Sequence, residues 1–418
     1  MKVMVVGGGA REHTLAWKLS QSKKVSELYA APGNAGTAAI ARNLDISPTN
    51  LDALAKAAQE KKIDLVVIGP EAPLAAGLVN KLQGLGIRAF GPTKEAALIE
   101  SSKVFAKELM HKYGIPCAKD AIFTSYEEAR AYVKKQPVPV VIKADGLAAG
   151  KGAIVAQSTE EALKALSDIM EARVFGDAGN QVLVEECLVG RETSLIAFTD
   201  GKTVVPMVTA RDYKRAYDGD MGLNTGGMGC YSPSRFLDGE SIKGAIKTIV
   251  EPVVKAMSRE GRPYKGVLYT GLMLTAEGPK VLEFNARFGD PETQVQLPLL
   301  KSDLVDIMQG IIDGSLDKAK IEWSKDACVG VVLASGGYPG NYRQGYPITG
   351  LDRVGKETLV FHAGTKMNEG RICTAGGRVL TVVETGKTVA EARSKTYGNV
   401  SRISFENCHY RKDIAEEA

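Results

Sequence analysis

Between Glu283 and Gln294 the chain reads EFNARFGDPETQ, which gathers acid, amide and guanidinium groups at one strand end. In VLEFNARF, residues 281–288, alternation sends Glu283, Asn285 and Arg287 to one face and Leu282, Phe284 and Phe288 to the other. A hard divalent cation such as Mg²⁺ or Mn²⁺ prefers carboxylate and carbonyl oxygens, so Glu283 and Asn285 suit it, while Arg287 could hold a phosphoryl group in transit. The turn that follows, Gly289 to Glu292, adds the carboxylates of Asp290 and Glu292. The plain alternative is a solvated strand face.

A second group of residues fits the phosphate end of a nucleotide. Lys143 closes a strand pattern, VPVVIKA, and the loop Asp145 to Gly152 after it is rich in glycine. That loop is not a Walker A motif: it is one residue short between Gly146 and Gly150 and has Gly152 where Ser or Thr would ligate magnesium. Another strand follows it, so it reads as a flap whose N–H groups, around Gly150, Lys151 and Gly152, fold over phosphates, with Lys143 as partner of an α- or β-phosphate. Glu185, Glu186, Cys187 and Leu188 close a further strand and Glu192 comes soon after. Main-chain groups at such a crossing can pair with an adenine edge while a carboxylate takes ribose hydroxyls, although acidic pairs at strand ends are common.

These groups must be held by elements that the pattern also predicts. Over the first hundred residues, strands VMVVG, LYAAP, DLVVIGPE and RAFGP alternate with helical stretches, which implies right-handed crossovers and a parallel sheet with ligands outside its carboxyl edge. Loops 7–9, 32–34 and 69–71 lie at that edge and read either as a substrate site or as ordinary turns. The run Gly7 to Glu12 departs from a dinucleotide fingerprint, because Glu12 stands where the third glycine belongs and no acid closes the second strand. A phosphate monoester could still bind the helix N-terminus; His13 touches that ligand or simply caps the helix. Residues 101–113 read as a helix with a serine cap and a glycine stop, and 120–190 as a compact α+β unit. After it come strands, a glycine-rich loop at 219–229, a helix at 240–259, a charged connector at 316–327, and a tail of strands with a helix at 388–400. The expected division is an N-terminal Rossmann-like parallel sheet (1–100), a central α+β part (101–325, with 120–190 as a mobile flap) and a small mixed C-terminal domain (326–418), an α/β and α+β multidomain chain.

Composition narrows the partners. The 418 residues are 44% hydrophobic and 24% charged, and 53 basic against 49 acidic side chains leave a net charge of +4, too small a bias for nucleic acid or a membrane surface. No run approaches the ~20 apolar residues of a membrane span. The opening apolar run meets glycines at once and reads as a strand, not a signal segment. Six scattered cysteines without a CxxC pair suggest neither zinc knuckle nor disulfide framework and fit a reducing cytoplasm.

Taken in order, GGGAREHT, APGNAGT, GPEAPLAAG, IKADGLAAGKG, NTGGMGCYSP and EFNARFGDPETQ resemble the glycinamide ribonucleotide synthetase family, ATP-grasp ligases of purine synthesis. The likeness extends to GGYPG, FHAGT and CHYRKDI in the last hundred residues. It implies ATP and Mg²⁺ or Mn²⁺ as cofactors, with glycine and 5-phosphoribosylamine joined through glycyl phosphate by a monomer or weak dimer that fills the chain without fused partner activities. It implies that Lys103, Lys143, Glu185, Glu186, Leu188 and Glu192, with the flap residues, hold ATP, that Glu283 and Asn285 hold the metal, and that Arg287, Lys143 and Asp290 act on the transferring group. Gly8, Gly9 and Asn34 would face the sugar phosphate. Asp212, Lys214, Asn224, Thr225, Gly226, Met228 and Glu292 would line the glycine and ribosylamine pocket. Two departures stand out: Ala10 places a methyl in the first turn, and the strand YTGLMLT lacks a second metal carboxylate, so another group must complete the metal shell. The rivals are another ATP-grasp ligase, a non-catalytic nucleotide sensor, and a dehydrogenase that the missing third glycine disfavours.

Overall fold

The computed structural model describes residues 1–148, 152–236 and 238–418. The flap residues Gly150 and Lys151 therefore lie outside the described residues. The first hundred residues build a parallel sheet in the order Arg42–Asn43, Glu27–Pro32, Lys2–Gly7, Leu65–Ile68, Arg88–Phe90. Strand order reverses beside Lys2–Gly7, which opens a crevice at the carboxyl ends of that strand and its neighbours. Val3 to Val6 and Leu65 to Ile68 are buried without alternation, as expected of parallel strands covered on both faces. The two-residue strand Arg42–Asn43 has too little length to leave a pattern in the sequence.

Ser102 caps the helix Lys103–Tyr113 by accepting the Phe105 N–H at 3.0 Å, and Gly114, at φ 65°, stops it in the left-handed region. Next comes an antiparallel sheet ordered Asp120–Phe123, Val182–Glu186, Val140–Ala144, Ala153–Ala156. The central sheet runs Val204–Pro206, Arg191–Thr199, Gly266–Thr275, Gly278–Asn285, all antiparallel. Its last strand corrects the simple alternation read over 281–288. Register shifts between Gly271 and Leu272, which face Glu283 and Val281, so Leu282 is left over as a bulge, and the strand stops at Asn285. Arg287 thus projects from a bend beyond the strand rather than from its face.

The glycine-rich stretch read as a loop at 219–229 contains a strand, Met221–Asn224, that pairs with Arg215–Tyr217. On either side of that hairpin, Arg211–Asp212 and Gly229–Ser232 join the C-terminal sheet, which continues with Ala327–Ser335, Arg378–Gly386 and Leu359–His362. The central and C-terminal segments therefore share one sheet. Among the described residues, no helix is long and apolar enough to cross a membrane.

Glu12 explains the first glycine loop. Its carboxylate accepts the Gly9 N–H at 2.7 Å and pairs with Arg11 at 2.6 Å. A Cβ on Gly7 would lie 2.4 Å from Glu12 Cγ, and one on Gly69 would lie 2.1 Å from Glu12 Oε1. These glycines make room for an internal carboxylate, which is why the motif has a glutamate where a dinucleotide site has glycine. We expect Gly69→Ala to lower stability by about 1–3 kcal/mol through overpacking. Urea unfolding measures it, and an unchanged midpoint would show that Glu12 has space to move aside.

Candidate active site

At one end of the cleft, lysines from different elements converge. Lys143, on the strand Val140–Ala144, places Nζ 2.8 Å from Glu185 Oε2 and donates to the Leu282 carbonyl at 3.0 Å. Lys103, in the first turn of its helix, donates to the Gly146 carbonyl at 2.9 Å, so it touches the flap's base. One helical turn later, four residues on and on the same face, Lys107 is buried and sits 3.4 Å from Glu185 Oε1 and 3.5 Å from Asp120 Oδ1. Glu185 is thereby gripped by two ammonium groups. Glu186 faces away and instead anchors the Lys119 N–H at 2.9 Å. Leu188 is half-buried beside them, and Gly152 fits because a Cβ there would lie 2.6 Å from the Ala148 Cβ.

Glu283 is exposed beside these lysines. Among the described residues its carboxylate has no hydrogen-bond or ion-pair partner. Desolvation by the cleft walls pushes its carboxyl up, but Lys214, Lys143, Lys103 and Arg287 together pull harder and hold it below the ordinary carboxylate range. Asn285 Oδ1 accepts from Arg287 Nη2 at 3.0 Å, and the Arg287 Nε lies 3.0 Å from Glu71 and 3.3 Å from Glu100. Burial works against that guanidinium's charge, but Glu100 and Glu71 outweigh it and raise its pKa. Two oxygen donors of the kind a hard cation takes therefore stand side by side, one without a partner.

Farther along lies an acidic pocket. Glu292 is buried and accepts from Ser194 Oγ at 3.2 Å, and Ser194 Oγ is 2.7 Å from the Tyr269 hydroxyl. Burial raises the carboxyl of Glu292, and burial plus the Glu292 charge raise that of Asp212 well above its usual range. Asp212 Oδ1 is buried and unpartnered among the described residues. Lys214 pairs with Glu192; burial opposes its charge, but Glu192, Tyr269 and Glu283 hold it firmly protonated. Thr225 hydrogen-bonds back to the Lys214 carbonyl through both its N–H, at 2.7 Å, and its hydroxyl, at 2.8 Å. Asn224 is exposed, whereas Met228 is fully buried and offers only its backbone neighbourhood to the pocket.

The loops of the parallel sheet meet the C-terminal segment. Asn34 donates to the carbonyls of Gly8, at 3.0 Å, and His362, at 2.7 Å, and accepts the N–H groups of Gly36 and Thr37. Its side chain is spent on protein, while the backbone of Gly8 and Gly9 beside it is partly open. His13 Nδ1 accepts the His362 N–H at 2.9 Å, so His13 ties two segments together and does not cap its helix.

Sequence reasoning missed Lys107, Ser194, Tyr269, Tyr338, His362 and Arg378. Only Lys107 had a local signal, its four-residue spacing from Lys103. Arg378 donates to Asp290 across 88 residues of chain and Gly226 donates to the Tyr338 hydroxyl at 3.0 Å across 112, distances that no spacing rule reaches.

Models of the phosphoribosylglycinamide synthetase N domain, ATP-grasp (A) domain and C domain match residues 1–100, 101–293 and 328–417. A phosphoribosylamine–glycine ligase of Halalkalibacterium halodurans is 51% identical over 418 residues, which is 100% of this chain and 97% of the relative. The human trifunctional purine biosynthetic protein adenosine-3 is 49% identical over 100% of the chain, which spans 42% of that longer protein. The crystal structure of phosphoribosylamine–glycine ligase from Thermotoga maritima superposes with a TM-score of 0.88 at 35% identity, covering 99% of this chain and 100% of that one. A Campylobacter jejuni biotin carboxylase complexed with β-γ-ATP shares the fold, with a TM-score of 0.73 at 15% identity over 97% and 92% of the two chains.

The histidine junction gives a pH dependence. Burial, then the neighbouring His362, lowers His13 to about 3, and burial lowers His362 to about 4. Both are neutral when folded and bind protons below about 6.5 when unfolded, so stability rises with pH across the window from about 4 to 6.5 and falls on acidification. We expect His13→Asn to flatten that slope by up to ~1.4 kcal/mol per pH unit. Urea unfolding at stepped pH checks it; equal slopes in the two proteins would remove the histidine from the account.

Proposed function

The chain belongs to the phosphoribosylglycinamide synthetase family, and from that premise we propose which of its residues carry the ATP-dependent ligation of glycine to 5-phosphoribosylamine in purine biosynthesis. The family uses ATP and a divalent metal. The observation that carries the assignment is the carboxylate of Glu283, without a hydrogen-bond or ion-pair partner among the described residues and set among the cations Lys214, Lys143, Lys103 and Arg287. Glu283 and Asn285 would hold the metal, with Mg²⁺ or Mn²⁺ favoured because both donors are hard oxygens. When bound, the ion supplies charge neutralisation at the phosphates. Lys103 and Lys143 would face the phosphates, with Gly152 at the end of the loop that follows Lys143; Gly150 and Lys151, expected to share that role, lie outside the described residues. Glu185, Leu188 and Glu192 would lie along the adenosine, to which Glu186 would offer only its main chain, since its side chain is turned to the Lys119 N–H.

Activating glycine brings its carboxylate to a phosphoryl group. At 4 Å and an effective dielectric near 20, each unit pair of like charges costs about 4 kcal/mol. Arg287, already fixed by Glu71, Glu100 and Asn285, and Lys143 meet that charge without reorganising. The glycine carboxylate takes the γ-phosphoryl group as the β,γ-bridging P–O bond breaks and ADP leaves; the amine nitrogen then attacks the glycyl phosphate, the C–N bond forms, the acyl C–O bond breaks, phosphate leaves with its electron pair, and the amine gives up a proton. Asp290, Asp212, Lys214 and Glu292, with the loop Asn224 to Met228, would surround glycine and the amine. Gly8, Gly9 and the Asn34 turn would face the sugar phosphate. No protein nucleophile is required.

The same reading takes the chain as three units, 1–100, 101–325 with the flap at 120–190, and 326–418, tied by the shared C-terminal sheet. It also takes it as a cytoplasmic monomer or weak dimer; the six unpaired cysteines fit a reducing compartment.

ADP release, followed with a divalent metal and ATP, should require both glycine and phosphoribosylamine generated from ribose 5-phosphate and ammonia, and should yield glycinamide ribonucleotide. Release with other acids or amines would move the chain to another ligase specificity. Glu283→Ala should cut turnover by on the order of 10² or more, and near-normal turnover would refute the metal assignment.

A further inference from the structure

Arg378 opens the strand Arg378–Gly386, yet its guanidinium leaves the C-terminal sheet and enters the central segment. Nη2 donates to Asp290 Oδ2 at 2.8 Å and Nη1 to Oδ1 at 3.1 Å, a two-pronged grip on one carboxylate. Nη1 also donates to the Gly226 carbonyl. Gly226 is small where it must be: a Cβ there would sit 2.9 Å from Arg378 Cζ. One planar cation therefore joins two irregular segments, the turn after the strand Gly278–Asn285 and the glycine loop 224–228.

Neither partner is framework. Displacing the loop would carry Lys214 with it through Thr225, and Gly227 lies so close to Asp212 that a Cβ would fall 2.7 Å from Asp212 Oδ1 and 2.4 Å from Pro291 Cδ. The turn carries Asp290 and Glu292. A tie that served only to dock domains would join buried elements of each; this one joins the two stretches that surround the acidic pocket and leaves the nucleotide end untouched.

We propose that Arg378 is a positioning residue for the acyl-transfer end of the site: it sets Asp290 and the 224–228 loop at a fixed distance, so the pocket for glycine and the amine is complete only with the C-terminal sheet in place. This rests on the ligase reading given above. A lysine could supply the charge but not the fork that reaches Asp290 and Gly226 together.

The test compares the full chain with Arg378→Ala, Arg378→Lys and Gly226→Ala, measuring kcat and KM for glycine and for phosphoribosylamine, ATP affinity and melting temperature. In Arg378→Ala, kcat/KM for phosphoribosylamine should fall on the order of 10²-fold with ATP affinity kept, added guanidinium ion should restore part of the loss, and Arg378→Lys should not recover it. Gly226→Ala should give the same selective loss from the opposite side. Wild-type kinetics in Arg378→Ala and Gly226→Ala would overturn the proposal alone. So would a parallel loss of ATP affinity and melting temperature without guanidinium rescue, which marks a purely structural tie. Absence of ligation in the unaltered chain would overturn the underlying reading and the proposal with it.

Discussion

Glu283 has no hydrogen-bond or ion-pair partner among the described residues, yet the surrounding cations hold its carboxyl below the ordinary range, and much of the central fold is the arrangement that produces that field. Removing water from a charge is costly unless other charges replace it. Lys103, Lys143 and Lys214 come from a helix, a strand of the flap sheet, and the segment between Arg211–Asp212 and Arg215–Tyr217. Each cation is in turn restrained: Lys103 by the Gly146 carbonyl, Lys143 by Glu185, Lys214 by Glu192, Arg287 by Glu71 and Glu100. Lys107 extends the network inward, compensating Glu185 and Asp120 where neither reaches solvent. The charges are therefore set before any ligand arrives, which is the condition under which electrostatic stabilisation needs no reorganisation during reaction.

The C-terminal segment belongs to the same balance. His362 meets the first loops through backbone hydrogen bonds to His13 and Asn34, and Arg378 meets the turn at Asp290. His362 pairs in register with Leu380, two residues beyond Arg378, so both contacts come from one end of one sheet. That sheet includes Arg211–Asp212 and Gly229–Ser232, which flank the glycine loop. A displacement of the sheet would move both walls of the pocket together, so the tail behaves as a structural part of the cleft and not as an appended module.

The parts of this arrangement that were legible in the sequence are those set by local rules. The parallel strands showed as apolar runs, Ser102 and Gly114 marked a helix's ends, Glu283, Asn285 and Lys143 stood out by type and spacing, and the NTGGMG run by the family resemblance. Glu12 was visible as a departure from the dinucleotide fingerprint, but its packing inside the glycine loop depends on contacts with Gly9 and Gly69 that the sequence does not show. Other features depend on register or on distant pairing. Alternation placed Arg287 on the strand because the end of pairing at Asn285, like the one-residue bulge at Leu282, leaves no mark in composition. The strand Met221–Asn224 was hidden in glycine. Asn34 looked ligand-facing until its amide was seen to bridge Gly8 and His362, and Arg378 looked like any strand-edge cation.

The central sheet also suggests why the chemistry is divided as it is. Glu283 faces Gly271 across one pair of strands, and Gly271 faces Ser194 across the next, so the three lie in one row over a span of about 10 Å. Gly271 has no side chain to block the middle, and a Cβ there would lie 3.3 Å from Glu283 Cγ. On the proposed reading, the phosphoryl end sits over Glu283 and the acidic end over Ser194, Tyr269 and Glu292, with a substrate the size of glycine spanning the gap between them. The buried thiols of Cys230 and Cys328 are pushed well above their ordinary range by desolvation and have no part in this. Once a cation-held carboxylate and a buried acid pair occupy opposite ends of a glycine-floored row, rate depends on how firmly the row's walls are held, and distant groups such as Arg378 become as consequential as those that touch the reacting atoms.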